Sequence, residues 1–327
     1  MSFSGDVKEE LSKQLSNARH CQIAEMSAIL SMSGQVLAKG DDQFEIYVYT
    51  ENLSVARKFF ILIRRCFQVV AEVSVRMASV NKNRTYLIAV RDTDAALRIL
   101  QAARFPQIEK DWDEEEEEHA EGMEISPILI QNACCKRAFI RGAYLAGGSM
   151  SDPNKSYHYE IVCLDLRKAE QLQEMLASFQ VEARIVERKK YYVVYVKDAE
   201  AISEALNVME AHVSMMDFEN IRIMKELRST VNRKVNCETA NINKTVSAAS
   251  QQIADIRYIE EVKGLEALPD NLEEMARVRL KYPEIPLKEL GGLLDPPVGK
   301  SGVNHRLRRL KEIADHLRQE NEEQGHD

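Results

Sequence analysis

A run of small, polar and basic residues near the C-terminus has the composition of a helix that reads DNA. Residues 299–311 read GKSGVNHRLRRLK. Short side chains at a helix start let the backbone approach a duplex, and basic groups behind them meet phosphates. Asn pairs bidentately with adenine and Arg with guanine, so Asn304 and Arg308 are candidate base readers. The candidate DNA-binding residues, in a helix-turn-helix at about 286–319, are Lys288, Lys300, Ser301, Asn304, His305, Arg306, Arg308, Arg309 and Lys311.

Other roles exist for parts of this run. Arg306 and Lys311 suit phosphate better than base edges, and Ser301, followed by Gly302, could instead cap the helix. The string Gly-Lys-Ser also occurs in phosphate-binding loops. The glycine that such a loop needs five residues earlier is Leu294 here, and no strand precedes it. We therefore expect no nucleotide site in this segment.

Apolar residues around the run predict three helices that hold it in place. Tyr282 and Pro283 end the first helix, residues 287–294 form the second, and the third carries an apolar stripe. The stripe consists of Val303, Leu307, Leu310, Ile313 and Leu317. Because the candidate contacts fall largely off this stripe, the pattern favours a DNA-binding helix-turn-helix. A helical bundle for protein contact or dimerisation is the alternative.

The overall composition limits how such a protein could bind nucleic acid. The chain has 327 residues, of which 45% are hydrophobic and 29% charged, and its formal net charge is −8. This length suits two or three domains with sizeable cores. A net negative chain has no uniformly basic coat, so contact with nucleic acid must come from local patches.

Cysteine usage and hydropathy predict a cytoplasmic protein without metal or other cofactor. The six cysteines include no CxxC pair, and the seven histidines are scattered, so the spacing along the chain gives no metal site. We expect reduced, mostly buried thiols. Neither a signal peptide nor an apolar stretch of membrane-spanning length is recognised, so no membrane partner is expected.

The first two thirds of the chain show an internal repeat of about 110 residues. In the first half, helices are predicted at 4–16, 22–32, 53–67 and 92–103, and strands at 43–50, 69–75 and 84–90. The second half has helices at 132–146, 168–179 and 198–208, and strands at 157–164, 182–186 and 191–196. Both halves share the order helix, strand, helix, strand, strand, helix. Ser4 is the expected N-cap of the first helix.

Two charged segments separate these regions. Residues 113–118 form an acidic run, which is either a solvated loop or a phosphate mimic that competes for a basic DNA-binding surface. Residues 222–244 are basic and rich in asparagine, and the chain then becomes helical towards Leu265. Arg228, Arg233 and Lys234 in this connector are candidate DNA contacts.

The run GKSGVNHRLRRL at 299–310 and the connector string NRKVNCETAN at 232–241 resemble the WhiA family of bacterial DNA-binding regulators, and the likeness spans essentially the whole chain. The resemblance implies an α+β fold: a pseudo-twofold LAGLIDADG-like domain of two αββαββα repeats, then an all-α helix-turn-helix domain. The expected boundaries are 1–111 and 126–220 for the repeats, 112–125 for an acidic linker, 221–265 for the basic helical connector, 266–320 for the helix-turn-helix domain and 321–327 for a disordered tail.

The same resemblance identifies two degenerate LAGLIDADG motifs, MSAILSMSG at 26–34 and IRGAYLAGG at 140–148. In the nucleases of this fold, the acidic residue before each final glycine holds a divalent metal, because hard cations need carboxylate oxygens. Here those positions are Ser33 and Gly147, and Asp152 is out of register. We expect the scaffold without catalysis. The motif helices should pack through the small residues Ser27, Ala28, Gly142, Ala143 and Ala146.

By the same resemblance the strands form a saddle, which in the nucleases lies on DNA; here they either contact DNA or are exposed to solvent. Its basic candidates have the alternative of lying on a solvated strand edge; they are Lys82, Arg84, Arg184, Arg188, Lys189 and Lys190. By resemblance we expect a sequence-specific transcriptional regulator of cell division, chromosome segregation or sporulation, located in the cytoplasm at the nucleoid. Its partners would be double-stranded DNA and other regulatory or division proteins. The alternatives are a protein-interaction scaffold with secondary DNA binding and a metal-dependent nuclease.

Overall fold

The computed structural model describes residues 2–38, 43–77, 84–105 and 125–324, with side chains through Asn321. Contacts divide the chain into residues 1–226 and residues 227–327. The first unit holds both repeats, and the second holds the predicted helix-turn-helix. One helix, α8, contributes residues to both units.

Both repeats have the order αββαββα that the resemblance implied. A leading helix α1 (Phe3–Lys13) precedes the first repeat, which consists of α2 (Arg19–Ser33), β1 (Gly34–Ala38), β2 (Phe44–Thr50), α3 (Leu53–Phe67), β3 (Glu72–Met77), β4 (Arg84–Val90) and α4 (Thr93–Ala103). After a 3₁₀ turn (Pro127–Ile130), the second repeat consists of α5 (Ala133–Gly147), β5 (Gly148–Met150), β6 (Tyr159–Cys163), α6 (Leu166–Ala177), β7 (Arg184–Arg188), β8 (Tyr191–Val196) and α7 (Ala199–Val208).

Each repeat forms one four-stranded antiparallel sheet, with strand orders β1-β2-β4-β3 and β5-β6-β8-β7. The sequence prediction missed β1 and β5. Both strands are short and start on the glycine that caps the preceding helix, Gly34 or Gly148, so neither has a separate turn signal. The expected N-cap of α1 was also wrong. The Ser2 hydroxyl accepts from the Gly5 amide, whereas Ser4 lies inside the helix and its hydroxyl lies 3.3 Å from that of Tyr144.

The two repeats share a single hydrophobic core. Alternate β2 residues Phe44, Ile46 and Val48 face into it, as the period-two pattern predicted. The same core continues through Phe139, Ile161 and Val194 of the second repeat. Neither repeat therefore encloses its apolar face alone.

The motif helices α2 and α5 pack closely at the centre of this core, as expected. A Cβ atom added at Gly142 would lie 2.4 Å from the Glu25 carbonyl oxygen and 2.8 Å from the Ala28 Cβ. Gly142 and Ala28 occupy equivalent places, each six residues before the capping glycine (148 − 142 and 34 − 28). Small residues at this crossing allow the two backbones to approach.

A buried charge network crosses the same helix pair. Glu25 is fully buried and lies 2.9 Å from the Lys58 ammonium and 3.0 Å from the Arg141 guanidinium. Arg141 also lies 2.6 Å from Glu210. Burial lowers the pKa of Lys58 against the opposing effect of Glu25. For Arg141, burial also acts downward, but Glu25 and Glu210 outweigh it and raise the pKa of Arg141.

A 51-residue helix, α8 (His212–Val262), contains most of the predicted basic helical connector at 221–265 and begins nine residues before it. Residues 226–248 of α8 are all exposed. The second unit continues with a 3₁₀ turn (Leu265–Ala267), α9 (Asp270–Lys281), α10 (Leu287–Gly291) and α11 (Lys300–Gln324). Helix α11 thus covers residues 321–324 of the predicted disordered tail, because its apolar stripe continues through Ala314 and Leu317 into contact with the end of α8.

Candidate nucleic-acid interface

A tight turn fixes the angle between α10 and α11. The Val298 amide donates to the Gly291 carbonyl at 3.0 Å. A Cβ atom at Gly291 would lie 2.1 Å from the Val298 carbonyl oxygen and 2.9 Å from a Val303 methyl group. The turn therefore needs glycine at 291 so that Val298 can lie against the end of α10.

One face of α11 is buried in the core of the second unit, and most of the residues outside that face are exposed. Val303, Leu307, Leu310 and Ala314 are buried, and Ile313 and Leu317 pack partly buried against the same cluster, which confirms the predicted stripe. Eight of the nine candidate residues are exposed: Lys288, Lys300, Ser301, Asn304, His305, Arg308, Arg309 and Lys311. The fold thus brings seven of them together on the first part of α11 and places Lys288 on α10.

Arg306 is the exception among the candidates. Its side chain is only 15% exposed; it donates to the Asn271 carbonyl at 3.3 Å and lies 3.5 Å from Glu274. These contacts tie α11 to the start of α9, as helix spacing turns residue 306 toward that neighbour. We therefore assign Arg306 to the support of α11 in place of the phosphate contact predicted from sequence.

The start of α11 is open to a ligand. A Cβ at Gly299 would have no atom within 4 Å, and the Val303 amide already bonds the Gly299 carbonyl at 3.1 Å. The free amides of a first helical turn favour anions such as phosphate. Ser301 is the second residue of α11, so it is not the N-cap that the alternative role required. Helix α10 precedes this segment, so it does not form a nucleotide-binding strand–loop–helix.

Arg308 and Arg309 are held only loosely. Arg308 is 80% exposed and lies 3.5 Å from Glu312, and Arg309 is 63% exposed and lies 3.6 Å from the same carboxylate. Exposed pairs of this kind contribute about 0.2–1 kcal/mol. Either guanidinium can exchange Glu312 for a base edge or a phosphate at little cost.

The connector candidates lie on the exposed middle of α8. Arg228, Arg233 and Lys234 are all exposed. Apolar residues on the same stretch are exposed as well, at Leu227, Val231, Val235, Ile242 and Val246. The sequence prediction gave weight to the basic side chains alone and missed this apolar stripe.

The sheets offer a mixed surface instead of a basic one. Arg188 lies 3.6 Å from Glu160, whose carboxylate also contacts His158 and Ser149 at 3.0 Å. Burial acts to raise the pKa of Glu160, but the His158 and Ser149 hydrogen bonds prevail and lower it. Arg84, Arg184, Lys189 and Lys190 are exposed. Lys82 and the acidic run at 113–118 lie outside the described residues.

The two motif positions that hold metal in nucleases carry no carboxylate here. The Ser33 hydroxyl donates to the Ile29 carbonyl at 2.9 Å. A Cβ at Gly147 would lie 2.8 Å from the Val162 carbonyl oxygen, so the approach of β6 leaves no room for a side chain. Asp152 accepts from the Asn154 amide at 2.9 Å, and this bond lowers the pKa of Asp152.

Sequence reasoning missed one cluster of metal-ligating side chains. His20, Cys21, Cys134 and Cys135 each offer a ligand atom, and these atoms all lie within 4.8 Å of one another. The expectation of no metal site came from spacing along the chain, which does not report this neighbourhood. The internal repeat contained the signal. Cys21 lies 13 residues before Gly34 (34 − 21), and Cys135 lies 13 residues before Gly148 (148 − 135).

Comparisons with known proteins cover all three parts of the chain. Models of the WhiA family match residues 19–105 (N-terminal LAGLIDADG-like domain), 136–228 (LAGLIDADG-like domain) and 231–314 (C-terminal HTH domain). Among the described residues, no helix is long and apolar enough to cross a membrane.

Full-length relatives are similar from end to end. A protein of Lachnoclostridium phytofermentans named "Probable cell division protein WhiA" is 51% identical over 319 residues, covering 98% of this chain and 100% of the relative. One of the same name from Desulforamulus reducens is 42% identical over 327 residues, covering 100% and 99%. The crystal structure of full-length WhiA from "Thermatoga maritima" has a TM-score of 0.58 at 24% identity, covering 97% of this chain and 99% of that one, and it shows the same fold.

Proposed function

This chain belongs to the WhiA family, and from that premise we propose that it is a sequence-specific regulator that binds double-stranded DNA through α11. The observation that carries the proposal is the exposed face of α11. It presents Asn304, Arg308 and Lys311 outside the buried stripe, behind an open helix start. A recognition helix in the major groove uses its N-terminal residues in this way.

The proposed process follows the names of the relatives. They are called probable cell division proteins. We extend this to control of transcription in cell division, chromosome segregation or sporulation, with the protein at the nucleoid in the cytoplasm. Other regulatory or division proteins are a second class of proposed partner.

The LAGLIDADG-like unit acts in this proposal as a scaffold and not as a nuclease. A two-metal mechanism needs carboxylates at the helix ends, and Ser33 and Gly147 provide none. The sheet surface pairs Arg188 with Glu160, so any contact of this unit with DNA is weaker than that of α11. The exposed connector cations Arg228, Arg233 and Lys234 are a proposed source of additional phosphate contacts.

The test maps bound DNA genome-wide in cells that carry either the native chain or the double variant Asn304→Ala, Arg308→Ala. Both side chains are exposed, so the fold should survive. The matched control is Gln319→Ala, an exposed residue three turns further along the same helix. We expect discrete peaks for the native chain and the control, and loss of those peaks for the double variant.

Unchanged peaks in the double variant would overturn DNA reading by α11. Peaks that disappear while the cellular phenotype stays intact would favour the alternative, a protein-interaction scaffold with secondary DNA binding. Cleavage of plasmid DNA by the purified native chain with Mg²⁺ would overturn the non-enzymatic part of the proposal.

A further inference from the structure

We propose that His20, Cys21, Cys134 and Cys135 form a structural zinc site that joins the first turns of α2 and α5. This inference is independent of DNA binding by α11. It rests on the donor set, on the distances between the donors and on their symmetric placement in the two repeats.

The donor atoms already lie within the span of one coordination sphere. His20 Nδ1 is 3.1 Å from the Cys135 sulfur and 3.4 Å from the Cys21 sulfur, and all four donors lie within 4.8 Å of one another. Tetrahedral zinc, with Zn–S of about 2.3 Å and Zn–N of about 2.0 Å, needs donors roughly 3.5–3.8 Å apart. Changes of up to about 1 Å in the separations between donors would complete the tetrahedron.

The cluster lies where the pseudo-twofold axis brings equivalent positions together. Cys21 and Cys135 are each 13 residues before the capping glycine of their helix (34 − 21 and 148 − 135). His20 and Cys134 are each 14 residues before it (34 − 20 and 148 − 134). Two adjacent ligand pairs far apart in sequence thus meet as one four-ligand set.

The environment favours thiolates bound to a cation. All four residues lie in the first turns of α2 or α5, where the helix dipoles stabilise negative charge. Three thiolates and one neutral imidazole would be the four ligands of the zinc ion.

The donor set distinguishes the class of metal and its role. Three sulfurs and one imidazole suit zinc, and four protein ligands leave no open position for water or substrate. Small apolar residues, Ala18, Ala24 and Ala138, surround the two buried cysteines. The site would therefore be structural, and it would fasten the two repeats at one end of their central helix pair.

The first experiment measures zinc in the purified full-length protein after reduction, loading with Zn²⁺ and dialysis. We expect about one zinc per chain, the stoichiometry of a closed four-ligand site. His20→Asn and Cys134→Ser remove exposed ligands, so the fold should survive either change, and the exposed Cys237→Ser is the control. Each ligand variant should lower zinc affinity by more than the ~10–100-fold typical of losing a hydrogen-bond partner of a ligand.

The second experiment alkylates the native protein and follows Cys134 and Cys237 by peptide mass spectrometry. Both thiols are exposed, so burial protects neither. With zinc bound, we expect Cys134 to resist alkylation until a chelator is added, whereas Cys237 reacts throughout. Cobalt in place of zinc should give the visible bands of a tetrahedral thiolate complex in the native chain and lose them in Cys134→Ser.

Three results would overturn the site. The first is a native chain that retains no zinc after loading. The second is a Cys134→Ser variant that binds zinc as tightly as the native chain. The third is a Cys134 thiol that a chelator leaves protected and a reductant exposes, which would show a disulfide in the cluster.

Discussion

The Arg141 guanidinium lies 3.0 Å from the Glu25 carboxylate, and this buried pair joins the motif helix of one repeat to that of the other. The Lys58 ammonium lies 2.9 Å from the same Glu25 oxygen. A buried carboxylate between two cations is stable only while both partners remain. The pair therefore makes each repeat depend on a charge that the other supplies.

Replacing Arg141 with Met should destabilise the first unit strongly. The change leaves Glu25 buried with one cation fewer, and breaking a buried pair costs about 3–5 kcal/mol. The measurement is the free energy of unfolding in urea. Arg91→Met is the control, because the Arg91–Glu72 pair is exposed and should contribute less than about 1 kcal/mol. Similar losses in the two variants would contradict the role assigned to burial.

Lys8 should give the stability a dependence on alkaline pH. Burial lowers the pKa of Lys8 from 10.5 to about 8. Between those values the unfolded chain binds more protons than the folded one, so the contribution of Lys8 to stability increases as pH rises. The free energy of unfolding of the native chain, relative to that of Lys8→Met, should therefore increase by about 1–3 kcal/mol between pH 7 and pH 10. Urea titrations of both proteins at several pH values test this, and a constant difference would refute it.

Replacing a base reader on α11 should change sequence specificity, whereas replacing a phosphate contact should not. Replacing Asn304 or Arg308 with Ala should cost about 1–3 kcal/mol on the specific site and little on random DNA. Lys311→Gln should weaken binding to specific and random DNA alike. It should also reduce the salt slope, the slope of log binding constant against log salt concentration, by about 1. Fluorescence anisotropy at several salt concentrations measures both quantities. Equal losses on specific and random DNA for all three variants would remove the assignment.

Arg306 should behave as a stabilising residue and not as a DNA contact. Arg306→Gln and Glu274→Gln both break the same pair at 3.5 Å, so each should lower the melting temperature. Neither should change the salt slope of binding, in contrast to Lys311→Gln. A salt slope reduced by Arg306→Gln and unchanged by Glu274→Gln would restore the phosphate role.

Gly291 should tolerate no side chain. Its Cβ would lie 2.1 Å from the Val298 carbonyl oxygen, and overpacking of this kind costs about 1–3 kcal/mol. Gly299→Ala is the control, since a Cβ there meets no atom within 4 Å and should cause no overpacking. Thermal melts of the two variants provide the comparison. A Gly291→Ala protein as stable as the control would show that the turn can relax.

The sequence predicts local structure well where the signal is periodic. Helix α3 and strands β4 and β8 have the predicted bounds, because apolar spacing and flanking turn residues define both ends. Strands β1 and β5 gave no such signal, since each begins on a helix-capping glycine. Helix α8 lies within the predicted helical connector at 221–265 except for its first nine residues, 212–220.

The candidate site was predictable in part for the same reason. The exposed face of α11 follows from helical spacing, so Asn304, Arg308 and Lys311 could be placed from sequence. The engagement of Arg306 with Glu274 depends on how α9 crosses α11, which no local pattern contains. The contact between the residue pairs 20–21 and 134–135 depends on the pairing of two repeats, and only an alignment of one repeat on the other would suggest it.

The core shared by the two repeats makes this unit an intramolecular dimer. Its central helices α2 and α5 lie in different halves of the chain, yet each covers the apolar face of the other. A larger side chain at Ala28 would therefore meet Gly142 of the other repeat, so each half limits the substitutions that the other can accept. Fragments made by cutting the chain between 105 and 125 would each expose an apolar helix alone, and would regain a native core only when expressed together.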